Sequence, residues 1–295
     1  MPELPEVETI KNDLRNLIIG KKIIRVKSLW PKMIQGMTTE ELEEKVKNRE
    51  IVDIRRRAKN LIIELEPRGN LPKHLLLHMK MTGHLIITDE KNEIDSLGNW
   101  KSGPEELLKD VQNRFVRFIF YLSEGKIMAF SDLRKFGYIK LVDDETLEKF
   151  LAEYGPEPLE KDFTFEVFKE RLGRKKGPIK KVLMDQATIA GIGNIYADEI
   201  LFEAKIHPLK KVEDLREGEL KKIFDAIKKI LALALEKRGT SISDYRDASG
   251  QRGSYDLIRN VYRRTGLPCY DCGGKVERIS VGGRGTHFCP ACQRQ

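Results

Sequence analysis

Before position 269 this 295-residue chain contains no cysteine, so its body has no disulfide framework to form. No stretch approaches the roughly 18 consecutive apolar residues of a membrane-spanning helix, and no basic segment followed by an apolar run opens the chain, which argues against a secretory signal. Internal repeats and low-complexity tracts are also missing. Acidic residues are in deficit: 46 Asp and Glu face 54 Lys and Arg, giving a formal net charge of +8 and a pI near 9.1. These absences leave a soluble, cytoplasmic chain, long enough for two domains with their own cores and suited by charge to a polyanionic partner.

What is present begins at residue 1. In Met1-Pro2-Glu3-Leu4-Pro5-Glu6-Val7-Glu8, removal of the initiator Met leaves the free secondary amine of Pro2 directly before Glu3. An α-amino group titrates roughly 2.5 units below a lysine, so at neutral pH far more of it is free base and nucleophilic. Attack on a carbonyl-like carbon gives an iminium, an electron sink that permits elimination, and Glu3 is placed to move the proton. Helix chemistry alone also explains Pro5, Glu6 and Glu8, since proline suits a first turn and carboxylates complement the dipole.

Val7, Ile10, Leu14, Leu17 and Ile18 recur at helical spacing, predicting an amphipathic helix over 5–18 that stops at Gly20. Eight short β-like runs follow, at 23–26, 51–55, 61–65, 74–79, 85–88, 115–121, 127–130 and 138–142, which predict a β-sandwich or flattened barrel. The stretch 89–112 is polar and irregular and reads as a long surface insertion. Tyr154-Gly155-Pro156-Glu157-Pro158 breaks the pattern. Around and beyond it the periodicity is helical at 145–153, 163–172, 178–186, 195–204 and 214–236. Ala190-Gly191-Ile192-Gly193-Asn194 precedes one of these helices. It is either a phosphate-accepting helix start or a plain turn in which Asn194 caps the helix. Just upstream, residues 169–181 carry seven basic side chains, Lys176 among them, against Glu170 alone. Such a run is a solvated face or an electrostatic footprint for nucleic acid.

Cys269-x2-Cys272 and Cys289-x2-Cys292 are separated by sixteen residues, the spacing of a four-thiolate structural zinc site on two knuckles. Residues 241–295 hold nine Lys and Arg against five acids, so this basic ribbon implies phosphate contacts.

Together these motifs resemble the bacterial formamidopyrimidine-DNA glycosylases, base-excision enzymes that remove oxidised purines and cut the strand. The resemblance covers nearly the whole chain. It rests on the N-terminal octapeptide, Arg56-Arg57-Ala58-Lys59, His78-x-x-Met81-x-Gly83, Asp132-Leu133-Arg134-Lys135-Phe136-Gly137, Gly155-Pro156-Glu157-Pro158-Leu159, Gly191-Ile192-Gly193-Asn194-Ile195-Tyr196-Ala197, and Gly283-Arg284-Gly285-Thr286-His287-Phe288-Cys289-Pro290. It implies an α+β architecture: a β-sandwich with a leading helix at 1–142, a helix-two-turn-helix domain at 143–240, and a lesion-covering loop with a zinc ribbon at 241–295. It makes Pro2 the nucleophile on C1′ and Glu3 the proton donor, with Glu6 beside the site. Lys59, Asn194 and Arg284 become phosphate holders around the extruded nucleotide. Met81, Arg134 and Phe136 fill the hole it leaves, although as bare sequence Met81 and Phe136 read as inward-packing and Arg134 as a surface charge. His78, Arg114, Lys176 and Tyr262 are further DNA-contacting positions by the same resemblance. One structural zinc is implied, on Cys269, Cys272, Cys289 and Cys292. The partner is double-stranded DNA containing oxidised bases or abasic sites, met by a monomer with no membrane association.

Two departures stand out. Asn113-Arg114-Phe115 replaces a histidine-led start of the strand, and the 89–112 stretch before it is long; neither is expected to touch catalysis. The loop from Ser243 to Tyr255 occupies the position where the family covers the base. Two other readings remain at this point. The endonuclease VIII branch acts on oxidised pyrimidines, against which the Leu4-Pro5-Glu6-Val7-Glu8 continuation argues. A non-catalytic zinc-ribbon DNA binder would leave the N-terminal proline and glutamates unexplained.

Overall fold

The computed structural model describes residues 2–242 and 244–294; Ser243, the expected start of the covering loop, lies outside them. Packing divides the chain into two units, Met1–Leu151 with Lys237–Ser254, and Ala152–Glu236 with Tyr255–Gln295. The segment 237–254 thus packs with the first unit, whereas the sequence reading groups most of it with the ribbon.

In the first unit, α1 (Leu4–Ile18) has Glu3 as its extended N-cap and Pro5 in its first turn, and Gly20 turns the chain out at φ +81°. Val7, Ile10, Leu14 and Ile18 are fully buried, while Leu17, expected on the same face, is exposed. All eight predicted runs are strands: β1 (Ile23–Ser28), β2 (Ile51–Arg57), β3 (Asn60–Leu65), β4 (His74–His78), β5 (Gly83–Asp89), β6 (Val116–Leu122), β7 (Lys126–Asp132) and β8 (Tyr138–Val142). Among the described residues they form two four-stranded sheets, β1-β6-β7-β5 and β2-β3-β4-β8. Every pairing is antiparallel. Residues of both sheets and α1 make one core that includes Ile54, Leu77, Phe118 and Phe130. The sandwich expectation therefore holds.

Helix α2 (Thr39–Val46) lies outside the helical and strand runs that the sequence pattern predicts. Its sequence signal is a capping box, in which the Glu41 N–H donates to Thr38 Oγ1 at 3.2 Å and the Thr38 N–H to Glu41 at 2.7 Å. The 89–112 stretch is more than a surface insertion. It carries α3 (Glu105–Lys109), and Trp100 and Leu107 pack with Ile86, Val116, Ile119, Ile127 and Ala129 on one outer sheet face. Burying two such side chains contributes roughly 2 kcal/mol or more apiece. On the other outer face, Leu147 of α4 (Asp144–Ala152) packs on Ile62, Leu76 and Val142. Periodicity misses the first of these layers because its few apolar residues are scattered among polar ones.

The second unit contains α5 (Phe165–Gly173), α6 (Ile179–Leu183), α7 (Asn194–Glu203), α8 (Glu217–Glu236) and the hairpin β9 (Glu277–Val281) and β10 (Arg284–Phe288). Helix α6 ends three residues earlier than the pattern suggests, because Met184 is its C-cap. Helix α7 is buried from Ile195 to Phe202, and Phe202 shares a cluster with Val261, Cys269, Val276 and Cys289. The ribbon's core is therefore partly borrowed from α7. No helix among the described residues is long and apolar enough to cross a membrane.

Candidate functional site

Pro2 and Glu3 are buried at the head of α1, Glu3 with only 1% of its surface exposed. The Glu6 carboxylate accepts from the Glu3 N–H at 2.8 Å through Oε2 and from the Thr240 N–H at 2.7 Å through Oε1. The first contact is ordinary helix capping, and the second is not. Gly239, at φ +80°, lets the backbone approach this carboxylate, for a Cβ there would stand 2.7 Å from Glu6 Cγ. Glu6 therefore fixes both the N-terminal residues and the start of the 237–254 segment.

One step along α1, Glu8 accepts from Arg56 Nε at 2.7 Å and pairs with Lys11. Burial pushes the Glu8 carboxyl up, but Arg56 and Lys11 outweigh it and hold the group below its usual range. Arg56 also donates to the Ala58 carbonyl at 2.9 Å, in the β2–β3 turn that carries the buried Lys59. The site thus couples α1 to the Lys59 turn through Arg56, a role its place in Arg56-Arg57-Ala58-Lys59 did not reveal. Asn60 pairs with His78, which pairs with Tyr138 across β3, β4 and β8. His78 Nδ1 accepts from the Lys80 N–H at 2.8 Å, and burial, then the Lys80 and Lys59 charges, push its imidazole down to about 3. At neutral pH His78 is an uncharged ring that can donate through Nε2.

Met81, Arg134 and Phe136 lie together on two turns. Arg134 Nη1 reaches Met81 Sδ at 2.9 Å and its guanidinium stands 4.7 Å from the Phe136 ring centre. Met81 is 39% and Phe136 53% exposed, so the inward-packing reading fails for both. Asp132 shapes their support: its Oδ2 accepts from the Gly137 N–H at 2.8 Å and its Oδ1 from the Thr82 hydroxyl. A Cβ at Gly137 would stand 2.7 Å from the Phe130 ring, and one at Gly83 2.8 Å. Arg114 is exposed before β6.

Behind these turns Asn113 is a buried hub. Its Nδ2 donates to the Glu106 and Gly250 carbonyls at 2.8 and 2.9 Å, which turns Oδ1 toward His84 Nε2 at 3.1 Å and places the ring proton on Nε2. Burial, then the Arg246 charge, push His84 down to about 4. The folded state holds this ring neutral while the unfolded chain protonates it, so its contribution is intact above about pH 6.5 and fades as pH falls toward 4. Between pH 7.5 and 5 the expected loss from this residue is about 2 kcal/mol. Urea unfolding should show His84→Gln losing correspondingly less over that interval; an equal loss would refute the assignment.

In the second unit Gly193, not Asn194, is the N-cap of α7. Asn194 instead donates from Nδ2 to the Gly285 carbonyl at 3.0 Å, beside Arg284. Gln186 braces the glycine turn, donating to the Ile192 carbonyl at 2.8 Å and accepting from the Gly191 N–H at 2.9 Å. Arg284 is exposed and follows Gly282 and Gly283, both at positive φ as a two-residue hairpin turn requires. Lys180, read only as part of a basic run, is wholly buried. It sits 2.7 Å from Asp198 Oδ1 and donates to Thr286 Oγ1 at 2.8 Å and the Gly285 carbonyl at 3.2 Å. Asp198 Oδ2 accepts from the His287 N–H at 2.8 Å. Glu199 receives three backbone N–H groups, from Asn260, Val261 and Tyr262. Burial pushes its carboxyl up, and the same hydrogen bonds counter that effect. The Tyr262 ring lies 5.0 Å from His287, and Lys176 is exposed.

Cys269, Cys272, Cys289 and Cys292 hold their sulfurs within 4.8 Å of one another. The Cys269–Cys292 and Cys272–Cys289 separations are 3.9 and 3.5 Å. Four thiolates about 2.3 Å from a tetrahedral zinc stand roughly 3.8 Å apart, so the set fits that ion and leaves no open coordination position.

Three family models match the chain: the formamidopyrimidine-DNA glycosylase N-terminal domain over 1–139, the H2TH domain of that glycosylase over 154–246, and a zinc finger found in FPG and IleRS over 266–295. A formamidopyrimidine-DNA glycosylase of Herpetosiphon aurantiacus is 40% identical over 99% of this chain and 100% of its own. The Lactococcus lactis Fpg, solved in complex with an abasic site containing DNA, superposes with a TM-score of 0.84 at 35% identity, covering 99% of this chain and 100% of that one. MutM in complex with carbocyclic 8-oxo-G containing DNA gives 0.83 at 35%, covering 100% of both. With domain order, full-length coverage and zinc-ribbon cysteines all in agreement, this chain belongs to the formamidopyrimidine-DNA glycosylase family.

Proposed function

We propose that this protein is a bifunctional DNA glycosylase and abasic-site lyase that removes oxidised purines, 8-oxoguanine and formamidopyrimidines, from double-stranded DNA. The observation that carries the reading is the touching trio Met81, Arg134 and Phe136. Apolar side chains held in solvent on braced turns have no packing purpose, and they suit the gap left by an extruded nucleotide. Relatives solved with abasic-site and 8-oxo-G DNA support the substrate class.

In this reading Met1 is removed and the Pro2 nitrogen attacks C1′, displacing the base. Glu3 protonates the ring oxygen as the sugar opens to an iminium. Loss of the C2′ proton expels the 3′ phosphate, and a second elimination expels the 5′ phosphate. Glu6 holds the N-terminal residues, Lys59, Asn194 and Arg284 hold flanking phosphates, and His78, Arg114, Lys176 and Tyr262 add DNA contacts. One zinc on the four cysteines orders the ribbon that presents Arg284 and takes no part in the reaction. The functional division remains 1–142 for catalysis, 143–240 for the helical DNA-binding domain, and 241–295 for covering loop and ribbon. The protein acts as a monomer, in the cytoplasm where the DNA is.

Borohydride reduction during reaction with an 8-oxoguanine duplex is expected to link protein and DNA covalently. Glu3→Gln should slow base excision by roughly a hundredfold or more with affinity nearly unchanged. Arg284→Ala should instead weaken binding and flatten its salt dependence by about one unit of slope. No cross-link from the processed wild-type protein would sink the proposal.

A further inference from the structure

The sequence holds seven methionines. Met33, Met79 and Met128 are at most 1% exposed, and Met37 and Met184 are half-buried. Met81, at 39%, is the most exposed thioether among the described residues. It is held out by a turn that the Gly83 N–H closes by donating to the Met79 carbonyl at 2.9 Å. On the neighbouring turn the Arg134 N–H donates to Thr82 Oγ1 at 3.0 Å, and the Arg134 guanidinium meets Met81 Sδ at 2.9 Å. A thioether has two lone pairs, and one guanidinium contact leaves the other for reaction.

We propose that Met81 is an oxidation site through which hydroperoxides reversibly lower the activity of this enzyme. A sulfur lone pair forms a bond to the terminal oxygen of the peroxide, the O–O bond breaks, and the other oxygen departs with the electron pair. That anion takes the proton left on the transferred oxygen and becomes water or an alcohol. Sulfur is oxidised to the sulfoxide and the peroxide is reduced, so no further reagent is required. The Arg134 charge stands beside the departing anion and favours it. A thioether enters a stack of bases without giving up hydrogen bonds, whereas a sulfoxide oxygen is a strong acceptor that must leave its water behind. Arg134 is the donor already in contact, so the oxidised side chain also ties up the second member of the trio. The inference rests on the reading of Met81 as a wedge in the DNA.

The test exposes processed, zinc-loaded wild type and Met81→Leu to graded hydrogen peroxide, removes the excess with catalase, and compares each protein with its own untreated sample. Peptide mass mapping is expected to find one added oxygen at Met81 at doses that leave Met37 and Met184 unmodified. Single-turnover excision of 8-oxoguanine by wild type should then fall roughly tenfold to a hundredfold, while Met81→Leu keeps most of its own rate. Sulfoxide reductases specific for the two sulfur epimers should restore wild type beyond what their thiol reductant restores alone, a readout that needs no variant. Saturation with abasic-site DNA before the peroxide should shield Met81. An equal fractional loss in both proteins would place the damage elsewhere, at the zinc cysteines first, and overturn the proposal. So would a Met81 sulfoxide that leaves excision unchanged, or oxidation of Met37 and Met184 ahead of Met81. Untreated wild type without excision would instead overturn the glycosylase reading, and mass mapping would still report whether Met81 is the oxidised residue.

Discussion

A protein that keeps Met1, through an N-terminal tag or a blocked peptidase, is expected to form no borohydride-stable link to lesion DNA. Its residue 2 would then be an amide nitrogen with no lone pair to offer. Pro2→Gly should be severely impaired, since it loses the secondary amine and the fixed ring at a buried position. Removing a nucleophile that works as one unit with its acid costs roughly a thousandfold or more in rate, about 4 kcal/mol of barrier. Binding should be largely retained, because neither change touches the exposed trio or Arg284. Electrophoresis after reduction, beside a filter-binding titration, reads both quantities. Full cross-linking by the tagged protein would move the chemistry to some other amine, and the buried, Glu6-braced start of α1 would need another explanation.

The second large effect is expected at the Lys180–Asp198 pair. Both side chains are wholly buried, and Asp198 also holds the His287 backbone. Asp198→Ala strands an ammonium away from water, which costs on the order of 3–5 kcal/mol. The same ammonium orients Thr286 and Gly285, so the hairpin presenting Arg284 should loosen and DNA binding fall with stability. A paired replacement, Lys180→Met with Asp198→Leu, should be much less damaging than Asp198→Ala alone, since no charge is left unpaired. Chemical unfolding of the zinc-loaded protein would decide it: additive losses in the pair would mean the two side chains act separately.

What could be read in advance follows from the range of each interaction. The eight strands and most helices are local patterns, and they stand within a few residues of where alternation and helical spacing put them. The zinc cysteines announce themselves by spacing. Met81 and Phe136 could not be read, because a hydrophobic residue near a strand end ordinarily packs inward and only the braced turns show why these do not. Asn194 reads as a cap from its position before a helix, yet its amide turns to Gly285, far along the chain. Lys180 looks like one charge in a basic run, and only Asp198 on the next helix makes it a core residue. Arg246–Asp110 and Asn113–Gly250 each join residues more than a hundred positions apart. No window of sequence holds both partners. The 89–112 stretch reads as a surface insertion for the same reason: its apolar residues meet their partners on a sheet face built from β5, β6 and β7.

The return of Lys237–Ser254 to the first unit bears on how the chain is made. Tyr245 and Ala248 are core residues of that unit, and the Ala248 carbonyl accepts from the Ile87 N–H of β5 at 2.8 Å. A ribosome releasing residues in order has delivered all eight strands of the sandwich long before it delivers these closing pieces. Until then the nascent sandwich has an incomplete core and a β5 edge short of that hydrogen bond, an exposed condition that invites association between chains. The last part of the first unit to be synthesised is thus a part of its core, and a growing chain acquires its grip on Glu6 only after the whole of α8 has emerged.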